Sequence, residues 1–300
     1  MSTHFREQVF ASGIPLTGGN GGLYPLPTGV TYFVDNVNGN DDNTGLNLDQ
    51  PLVTIQAAIT LSNATINWSY TPKFYNYIYV KPGVYAENLT PAYYCVIEGL
   101  GIRGTDTAAE IHPATGSAMT GTLLGSGFRN LRFEGNTAST PIFDIGICNN
   151  SFIEDSEFAL GASVAGVAAI DTENATHTVI KNCDFTSGMV QNLAYAGYHR
   201  GGADKYAHQV HWLGNRIWAK TAGLWIQNTC TASGFLAQGN FIWIDASGKG
   251  IDCNYAGAAM MVGNLIAGGT GADAIEHAGG AGYTLFNQTN IAGSAAQETA

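Results

Sequence analysis

Charge is scarce in this sequence: only 12% of the residues are charged, and Lys and Arg together number 12 against 23 Asp and Glu. The net charge of −11 and the lack of any basic run argue against nucleic acid and anionic membranes as partners. No apolar stretch is long enough to cross a bilayer, and the start, MSTHFREQVF, lacks the apolar segment of a secretory signal. We therefore expect neither membrane insertion nor secretion.

Paired cysteine motifs are also missing. The five cysteines are scattered without a CxxC spacing, which is typical of reduced, buried thiols rather than of a disulfide framework or a metal site. The pair His208 and His211 has only a weak metal-ligand spacing. We predict no metal and no cofactor.

Glycine, in contrast, is abundant at 39 residues, and apolar residues recur through the second half of the chain at intervals of 24 to 32 residues. Such a period predicts a β-solenoid, in which each coil lies on the one before. The predicted inward-facing anchors are Phe133, Phe158, Phe185, Ile217, Phe241, Leu265 and Ile291. The predicted bends are Asn130, Asp155, Asn182, Gly214, Gly239 and Gly263.

Two further apolar columns repeat at nearly the same intervals as the anchors. Five residues before the anchors lies another inward-facing column: Phe128, Ile153, Ile180, Trp212, Leu236, Met260 and Phe286. A third apolar column comprises Ile142, Val167, Leu193, Leu224, Ile251 and Ile275. Agreement among independent columns strengthens the prediction of stacked coils.

The motifs VIKNCDF and FLAQGNF resemble the coil motif of the right-handed parallel β-helix superfamily, which includes pectate lyases, phage tailspikes and other virion appendages. The stretch from YFVDNVNGNDD to IYVKPGVYAENLT resembles the N-terminal module of many members, and QPLVTIQAAITLSNA has the apolar spacing of its capping helix. The resemblance implies an all-β fold, a single-stranded right-handed parallel β-helix (a three-sheet solenoid) with an N-terminal capping α-helix and an extended N-terminal arm.

These features divide the chain into four parts. Residues 1–28, rich in Gly and Pro, form the expected anchoring arm. Residues 29–75 hold the first strand, an Asn/Asp/Gly loop and the capping helix, residues 76–293 form the β-helix, and residues 294–300 form a tail.

The segment FIEDSEFAL carries Glu154, Asp155 and Glu157, and it raises the question of an acid–base cluster. In stacked coils, Glu154 would lie between Arg129 and Lys181, and Asp155 would be a bend residue, so a structural role is favoured. The alternative is a glycoside hydrolase or lyase in which Glu157 and Asp184, one coil apart, form the catalytic pair.

The widest interval contains YHRGGADKYAHQVHW, residues 198–212, and predicts a protruding loop rich in polar and aromatic groups. This loop and the exposed tryptophans outside it could contact a glycan. The alternative is a loop that is solvated or contacts another subunit. The candidate contact residues are His199, Arg200, Asp204, Lys205, Tyr206, His208, Trp218 and Trp225.

Outward-facing rows become apolar towards the C-terminal coils, and an exposed apolar stripe of this kind favours self-association. We expect a homotrimer. The predicted subunit-interface residues are Leu213, Trp218, Ile242, Met261 and Ile266.

The resemblance, the absent secretion signal and the low charge favour a structural virion component of a phage or phage-like particle, such as a capsid decoration protein, head fibre or tail appendage. Residues 1–28 would dock it on capsid or tail proteins, and its loop would contact host-surface polysaccharide. A tailspike-type polysaccharide depolymerase and a non-catalytic glycan-binding module are the alternatives, so a non-enzymatic role is favoured without excluding catalysis.

Overall fold

Each sequence repeat becomes one turn of a right-handed parallel β-helix in the computed structural model. The structure describes residues 10–11, 14–15, 29–66, 75–102, 105, 107–136, 140–160, 167–185, 193–202, 204–227, 230–244, 248–253, 258–268, 273–277 and 291–292. The predicted arm lies outside these residues except for two short strands, and the predicted tail lies outside them entirely.

The elements of the described residues are, in chain order, β1 (Phe10–Ala11), β2 (Ile14–Pro15), β3 (Thr31–Val34), α1 (Ile55–Thr65), β4 (Asn76–Val80), β5 (Gly83–Tyr85), β6 (Cys95–Gly99), β7 (Ala109–Ile111), β8 (Met119–Leu124), β9 (Gly127–Arg129), β10 (Leu131–Gly135), β11 (Phe143–Asn149), β12 (Phe152–Glu154), β13 (Glu157–Leu160), β14 (Val167–Lys181), β15 (Asp184–Phe185), β16 (Leu193–His199), β17 (Tyr206–Leu213), β18 (Arg216–Ala219), β19 (Ala222–Ile226), β20 (Thr231–Gln238), β21 (Phe241–Ile244), β22 (Lys249–Cys253), β23 (Ala258–Val262), β24 (Leu265–Gly268), β25 (Asp273–His277) and β26 (Ile291–Ala292).

Parallel pairing arranges the strands from β3 onward in three walls. Wall A rises through β3, β4, β6, β9, β12, the parts of β14, β17 and β20 that follow His177, Gln209 and Gly234, and β23. The parts of β17 and β20 before these residues continue wall C, because they pair in succession with the part of β14 that pairs with β11. Wall B is the nine-stranded sheet of β5, β7, β10, β13, β15, β18, β21, β24 and β26. Wall C rises through β8, β11, the first half of β14, β16, β19, β22 and β25.

Stacked phenylalanine rings fill the space between the walls. Phe158 lies face to face with Phe133, with ring centroids 5.2 Å apart, and with Phe185 at 4.9 Å. Phe143 of wall C meets Phe158 edge-on at 5.2 Å. Because all these rings are fully buried, the predicted anchors of these coils are confirmed.

Each of the six corners from wall A to wall B between β9 and β24 contains one residue in the left-handed backbone region. Asn, Asp and Gly tolerate this region better than other residues do, so the corner is legible in the sequence. The predicted bend residues Asn130, Asp155, Asn182, Gly214, Gly239 and Gly263 have φ from 50° to 64° and are confirmed as corners.

A second left-handed corner leads from wall C into wall A, and the sequence did not reveal it. Its occupants do not share a residue type, and Tyr, His and Gln are uncommon at positive φ. These residues are Tyr94, Gly125, Asn150, His177, Gln209 and Gly234, with φ from 47° to 68°.

The inward-facing column of wall B differs from the prediction after Ile217. Ile217 pairs with Ile242, and Ile242 pairs with Ile266, and both partners are buried. Phe241 and Leu265, predicted as anchors, are instead 39% and 41% exposed. The prediction is wrong because two adjacent apolar residues do not tell which one faces inward. Ile242 and Ile266, predicted at a subunit interface, therefore belong to the core.

Wall A shows the same shift of one residue. Trp212 pairs with Ala237 and Ala237 with Met261, and each of these side chains is fully buried. Leu236, predicted to face inward, is half-buried, and Met260 is 43% exposed. The prediction of Met261 as an interface residue is wrong for the same reason.

Buried asparagines of three successive coils form a ladder. The Asn215 amide nitrogen donates to the Asn240 Oδ1 at 2.9 Å, and the Asn240 amide nitrogen donates to the Asn264 Oδ1 at 3.0 Å. Each Nδ2 also donates to a backbone carbonyl of the preceding coil, for example Asn240 to Trp212 at 3.0 Å. These bonds satisfy polar groups that are only 1% exposed, so the ladder ties three coils together.

The third predicted apolar column lies on wall C. Its predicted pairs are observed in two separate parts of the column, but the residues that should connect the two parts are not paired. Val167 pairs with Leu193, and Leu224, Ile251 and Ile275 pair in succession. Between these parts, Leu224 lies opposite Gly197 instead of Leu193. Ile142 is likewise displaced, since its neighbour Phe143 pairs with Ile170.

Helix α1 covers the N-terminal end of the core, as predicted. Ile55, Ala58 and Ile59 are fully buried, and Thr54 caps the helix by accepting from the Ala57 amide at 3.1 Å. The Glu87 carboxylate accepts from the first two amides of the helix, at 2.9 Å each. Within the described residues, no helix has the length and apolarity needed to cross a membrane.

The register predicts that two Phe→Ala changes will have unequal effects. Phe158→Ala removes a ring packed between two others, and we expect it to lower the free energy of unfolding by about 3–5 kcal/mol. Phe241→Ala, at a 39% exposed position, should cost less than about 1 kcal/mol. Urea denaturation of both variants measures the difference, and equal losses would contradict the inward position of Ile242.

Candidate functional site

Glu154 and Glu157 of the FIEDSEFAL segment belong to two separate rows of charged residues that run from coil to coil. Glu154 pairs in register with Arg129 below and Lys181 above, and the Arg129 Nη2 lies 3.0 Å from its Oε2. The predicted charge alternation is therefore confirmed for this row, in which opposite charges on adjacent strands stabilise the stack.

Glu157 and Asp184, the predicted catalytic pair, lie in register on adjacent strands of wall B. Arg132 precedes Glu157 in this row, and Arg216 follows Asp184 and forms an ion pair with it. The Asp184 carboxylate is therefore already engaged in an ion pair on the surface of wall B. Catalysis by this pair stays a prediction.

The predicted protruding loop is shorter than residues 198–212. Strand β17 occupies Tyr206–Leu213 and pairs with β14 and β20, so only residues 200–205 leave the wall. His199 pairs with Thr172 and Tyr206 with Asn174, so residues 200–205 take the place that Glu173 alone occupies one coil earlier. This insertion accounts for the widest interval in the repeat.

The inserted loop is bound at its base by an ion network on the outer surface, here called the Arg200 network. Arg200 Nε lies 2.7 Å from the Asp171 Oδ1, and Arg200 Nη1 lies 3.1 Å from the Glu173 Oε1. Arg200 Nη2 binds Asp144, and Lys205 binds the second oxygen of Glu173. Glu173 thus joins both ends of the loop.

The network sets opposite pKa shifts on its two central carboxylates. Burial raises the pKa of Asp171, although its hydrogen bond with Arg200 opposes the shift. The hydrogen bond from Lys205 lowers the pKa of Glu173, which is more solvated. The hydrogen bond from Arg200 to Asp171, together with the nearby carboxylate of Asp144, holds the pKa of Arg200 above its ordinary value. This side chain therefore stays cationic.

Three aromatic rings, here called the aromatic cluster, lie beside the Arg200 network on wall C. Trp225 stacks on Tyr198 at 4.8 Å and on Tyr195 at 4.9 Å, with interplanar angles of 22° and 29°. Tyr198 pairs in register with Asp171 below and Trp225 above, and its hydroxyl donates to the Gln227 Oε1 at 2.8 Å. All three rings are half-buried, so part of each reaches the surface.

Of the predicted contact residues, the structure brings Arg200, Lys205 and Trp225 into this region. Asp204 lies exposed in the inserted loop, and the rings of Tyr206 and His208 stack at 5.1 Å on β17. Trp218 lies on wall B, with its ring centroid 6.4 Å from that of Trp243. Tryptophans 218 and 225 therefore do not form one surface.

His199 is a core residue, and its prediction as a contact residue is wrong. It is 3% exposed, its Nδ1 lies 2.7 Å from the Thr172 Oγ1, and its ring meets Phe235 edge-on. Alternation along β16 turns its side chain inward. Burial lowers the pKa of His199 to about 4, so the ring is neutral near pH 7.

The sequence prediction missed several residues of this region: Asp144, Asp171, Glu173, Tyr195, Tyr198 and Gln227. Asp144 and Asp171 pair in register at an interval of 27 residues, the same interval that separates Phe158 from Phe185. Following that interval for polar residues, as for apolar ones, would have found the row.

A second surface carries exposed apolar side chains, here called the apolar patch: Phe241, Trp243, Met260 and Leu265, each 39% to 43% exposed. Phe241, Trp243 and Leu265 lie on wall B and Met260 lies on wall A. Leu213 and Trp218, predicted as interface residues, are half-buried on the same walls.

One group of metal-type ligands occurs within the described ranges, formed by Glu110, His112 and Glu134. Arg132 lies 3.5 Å from a Glu110 oxygen and 3.0 Å from a Glu134 oxygen. Because the Arg132 guanidinium already lies at ion-pair distance from both carboxylates, we assign no metal to them.

No protein-family model matches this sequence, and a comparison with curated proteins finds no match. Among solved structures, the chain is similar to a pectin methylesterase from carrot, with 13% identity, a TM-score of 0.40, and coverage of 87% of this chain and 89% of that one. It is also similar to a GH136 lacto-N-biosidase from Eubacterium ramulus, with 10% identity, a TM-score of 0.32, and coverage of 85% and 67%. Likenesses of this level carry no conclusion about activity.

Burial of His199 predicts acid-sensitive stability. Its pKa falls from 6.5 in the unfolded chain to about 4 in the folded one, so its contribution is present above pH 6.5 and is lost as the pH falls towards 4. Between pH 7 and 5 this loss should be about 2 kcal/mol. Urea denaturation at both pH values should show that His199→Asn lacks this part of the loss. An equal loss in both proteins would contradict a buried neutral imidazole.

Proposed function

We propose that wall C carries a glycan-binding surface formed by the aromatic cluster and the Arg200 network, and that the protein acts as a rigid binding scaffold. The observation that carries this proposal is the stack of Tyr195, Tyr198 and Trp225, whose three rings lie half-buried on the outside of wall C beside the ion pairs of Arg200. Aromatic rings with polar neighbours at a surface suit the apolar faces and hydroxyl groups of sugars.

Polar groups around the rings are held in fixed positions. The Gln227 Oε1 accepts from the Tyr198 hydroxyl and from the Gly201 amide, at 2.8 Å each, so the inserted loop is fastened to the cluster. The ion pairs of Arg200 fix the other side of the loop. Binding groups that are ordered before a ligand arrives lose little conformational entropy on binding.

The rigidity of the scaffold also supports a binding role. Strands of successive coils form wall C, so the spacing of its side chains follows the spacing of strands, about 4.8 Å per coil. Side chains from Asp144 to Asp252 occupy five adjacent strands in one row. The row spans about 19 Å, which matches an extended oligosaccharide rather than a single small molecule.

The test is a glycan array of neutral, amino and acidic oligosaccharides, followed by titration calorimetry with the strongest binder. Trp225→Ala and Tyr198→Ala should each weaken binding about tenfold, since loss of a ring contact removes about 1.4 kcal/mol.

The matched control is Tyr75→Ala. Tyr75 is 38% exposed beside Tyr94, and it is distant in sequence from the aromatic cluster. This change should leave affinity unchanged. Absence of binding by the wild-type protein, or equal loss in the control, would overturn the proposal. Urea denaturation of each variant separates lost binding from lost folding.

A second function, as a trimeric structural subunit of a phage-like particle, is supported by the apolar patch. Four large apolar side chains at 39% to 43% exposure on two adjoining walls are an unfavourable surface for a monomer in water. Contact between copies would remove this surface from water. Docking on capsid or tail proteins through residues 1–28 belongs to the same proposal and rests on the sequence resemblance alone.

Light scattering of the pure protein tests self-association. We expect a trimer, and the double change of Phe241→Ser with Leu265→Ser should give a monomer because it removes apolar surface from the contact. Val84→Ser, at a 57% exposed position, is the control and should keep the trimer. A monomeric wild-type protein would contradict the proposal.

A further inference from the structure

The proposed glycan surface carries an excess of negative charge. Its ion-paired cations are Arg200, Lys205 and Lys249, and the carboxylates that they bind are Asp144, Asp171, Glu173 and Asp252. Three positive and four negative charges leave a net charge of −1.

The cations of this surface are also already bound. The three nitrogens of the Arg200 guanidinium each bind a different carboxylate. Lys205 binds Glu173, and the Lys249 Nζ lies 3.2 Å from the Asp252 Oδ2. A carboxylate on a ligand would therefore have to displace an internal ion pair, and it would be repelled by the remaining acidic groups.

From this charge pattern we infer that the surface selects glycans that lack acidic sugars, and that it rejects polyuronate, sialylated and sulfated chains. This inference rests on the proposed function and adds the substrate class. Non-acidic sugars can use the aromatic cluster and donate hydroxyl protons to the surface carboxylates, which are acceptors. Acidic sugars meet like charge at the same positions, and rejection by an unpaired charge is an effective source of specificity.

The experiment uses array oligosaccharides in matched pairs that share a backbone and differ in one acidic sugar or sulfate. We expect the non-acidic member of each bound pair to bind at least about tenfold more tightly at 50 mM salt, where surface charges are weakly screened. The ratio should shrink as salt rises to about 500 mM, because the Debye length falls to a few ångströms.

Removal of a carboxylate from the surface should increase the affinity for acidic glycans. A misfolded variant would not show such an increase. Asp252→Asn removes a carboxylate beside Trp225, so it should raise the affinity for acidic members while leaving non-acidic members nearly unchanged. Asp49→Asn makes the same chemical change at an exposed position of the N-terminal loop and should alter neither affinity.

The outcomes separate the two proposals. Equal or tighter binding of the acidic members would overturn the charge selection and leave the glycan-binding function standing. Failure of the wild-type protein to bind any array member would overturn the glycan-binding function, and the charge selection with it. An unchanged acidic-to-neutral ratio in Asp252→Asn would also contradict the selection by charge.

Discussion

Registered stacking of one coil on the next is the constraint on which the remaining structure depends. The left-handed corner between walls A and B enforces it, because a residue at φ near +55° places the third residue beyond it inside the core. From Asp155 this residue is Phe158, and from Gly239 it is Ile242. Once the corner is fixed, every side chain acquires neighbours directly above and below, so ring stacks, charge rows and the asparagine ladder all follow from it.

The surface on wall C shows how a regular scaffold acquires a distinctive site. Coils before and after the insertion keep the same wall, and only residues 200–205 depart from it. A single carboxylate, Glu173, stands where the loop is inserted in the next coil, and both ends of that loop bind it. Closing a loop at its base restricts its conformations, so one ion network both completes the fold and positions polar groups beside Trp225.

Much of the fold could be predicted from the sequence, and the failures have a common physical cause. Bends at Asn130, Asp155 and Gly214 were legible because few residue types tolerate their backbone conformation. Apolarity alone did not separate Phe241 from Ile242, since either side chain satisfies an apolar position, and only the three-residue spacing from the bend at Gly239 selects Ile242. His177 and Gln209 at the second corner carry no signature of positive φ.

The site was less predictable than the fold because it depends on which face a residue occupies as well as which coil. His199 and Arg200 are adjacent in sequence, yet one is buried beside Phe235 and the other binds three surface carboxylates. Composition marked residues 198–212 as unusual but did not show which of these two side chains is buried. Asp144 was missed for the opposite reason, since it is a lone acidic residue in an apolar strand.

The two proposed surfaces occupy different walls, and this separation bears on how the molecule could use both. Along wall B the outward row passes from Arg132, Glu157 and Asp184 to Arg216 and then to Phe241 and Leu265. Contact between copies at the apolar end would cover walls A and B while leaving the aromatic cluster on wall C open. Because a trimer would then present three such clusters on one rigid body, weak single-site binding would gain strength on a repetitive polysaccharide through effective concentration rather than through new contacts.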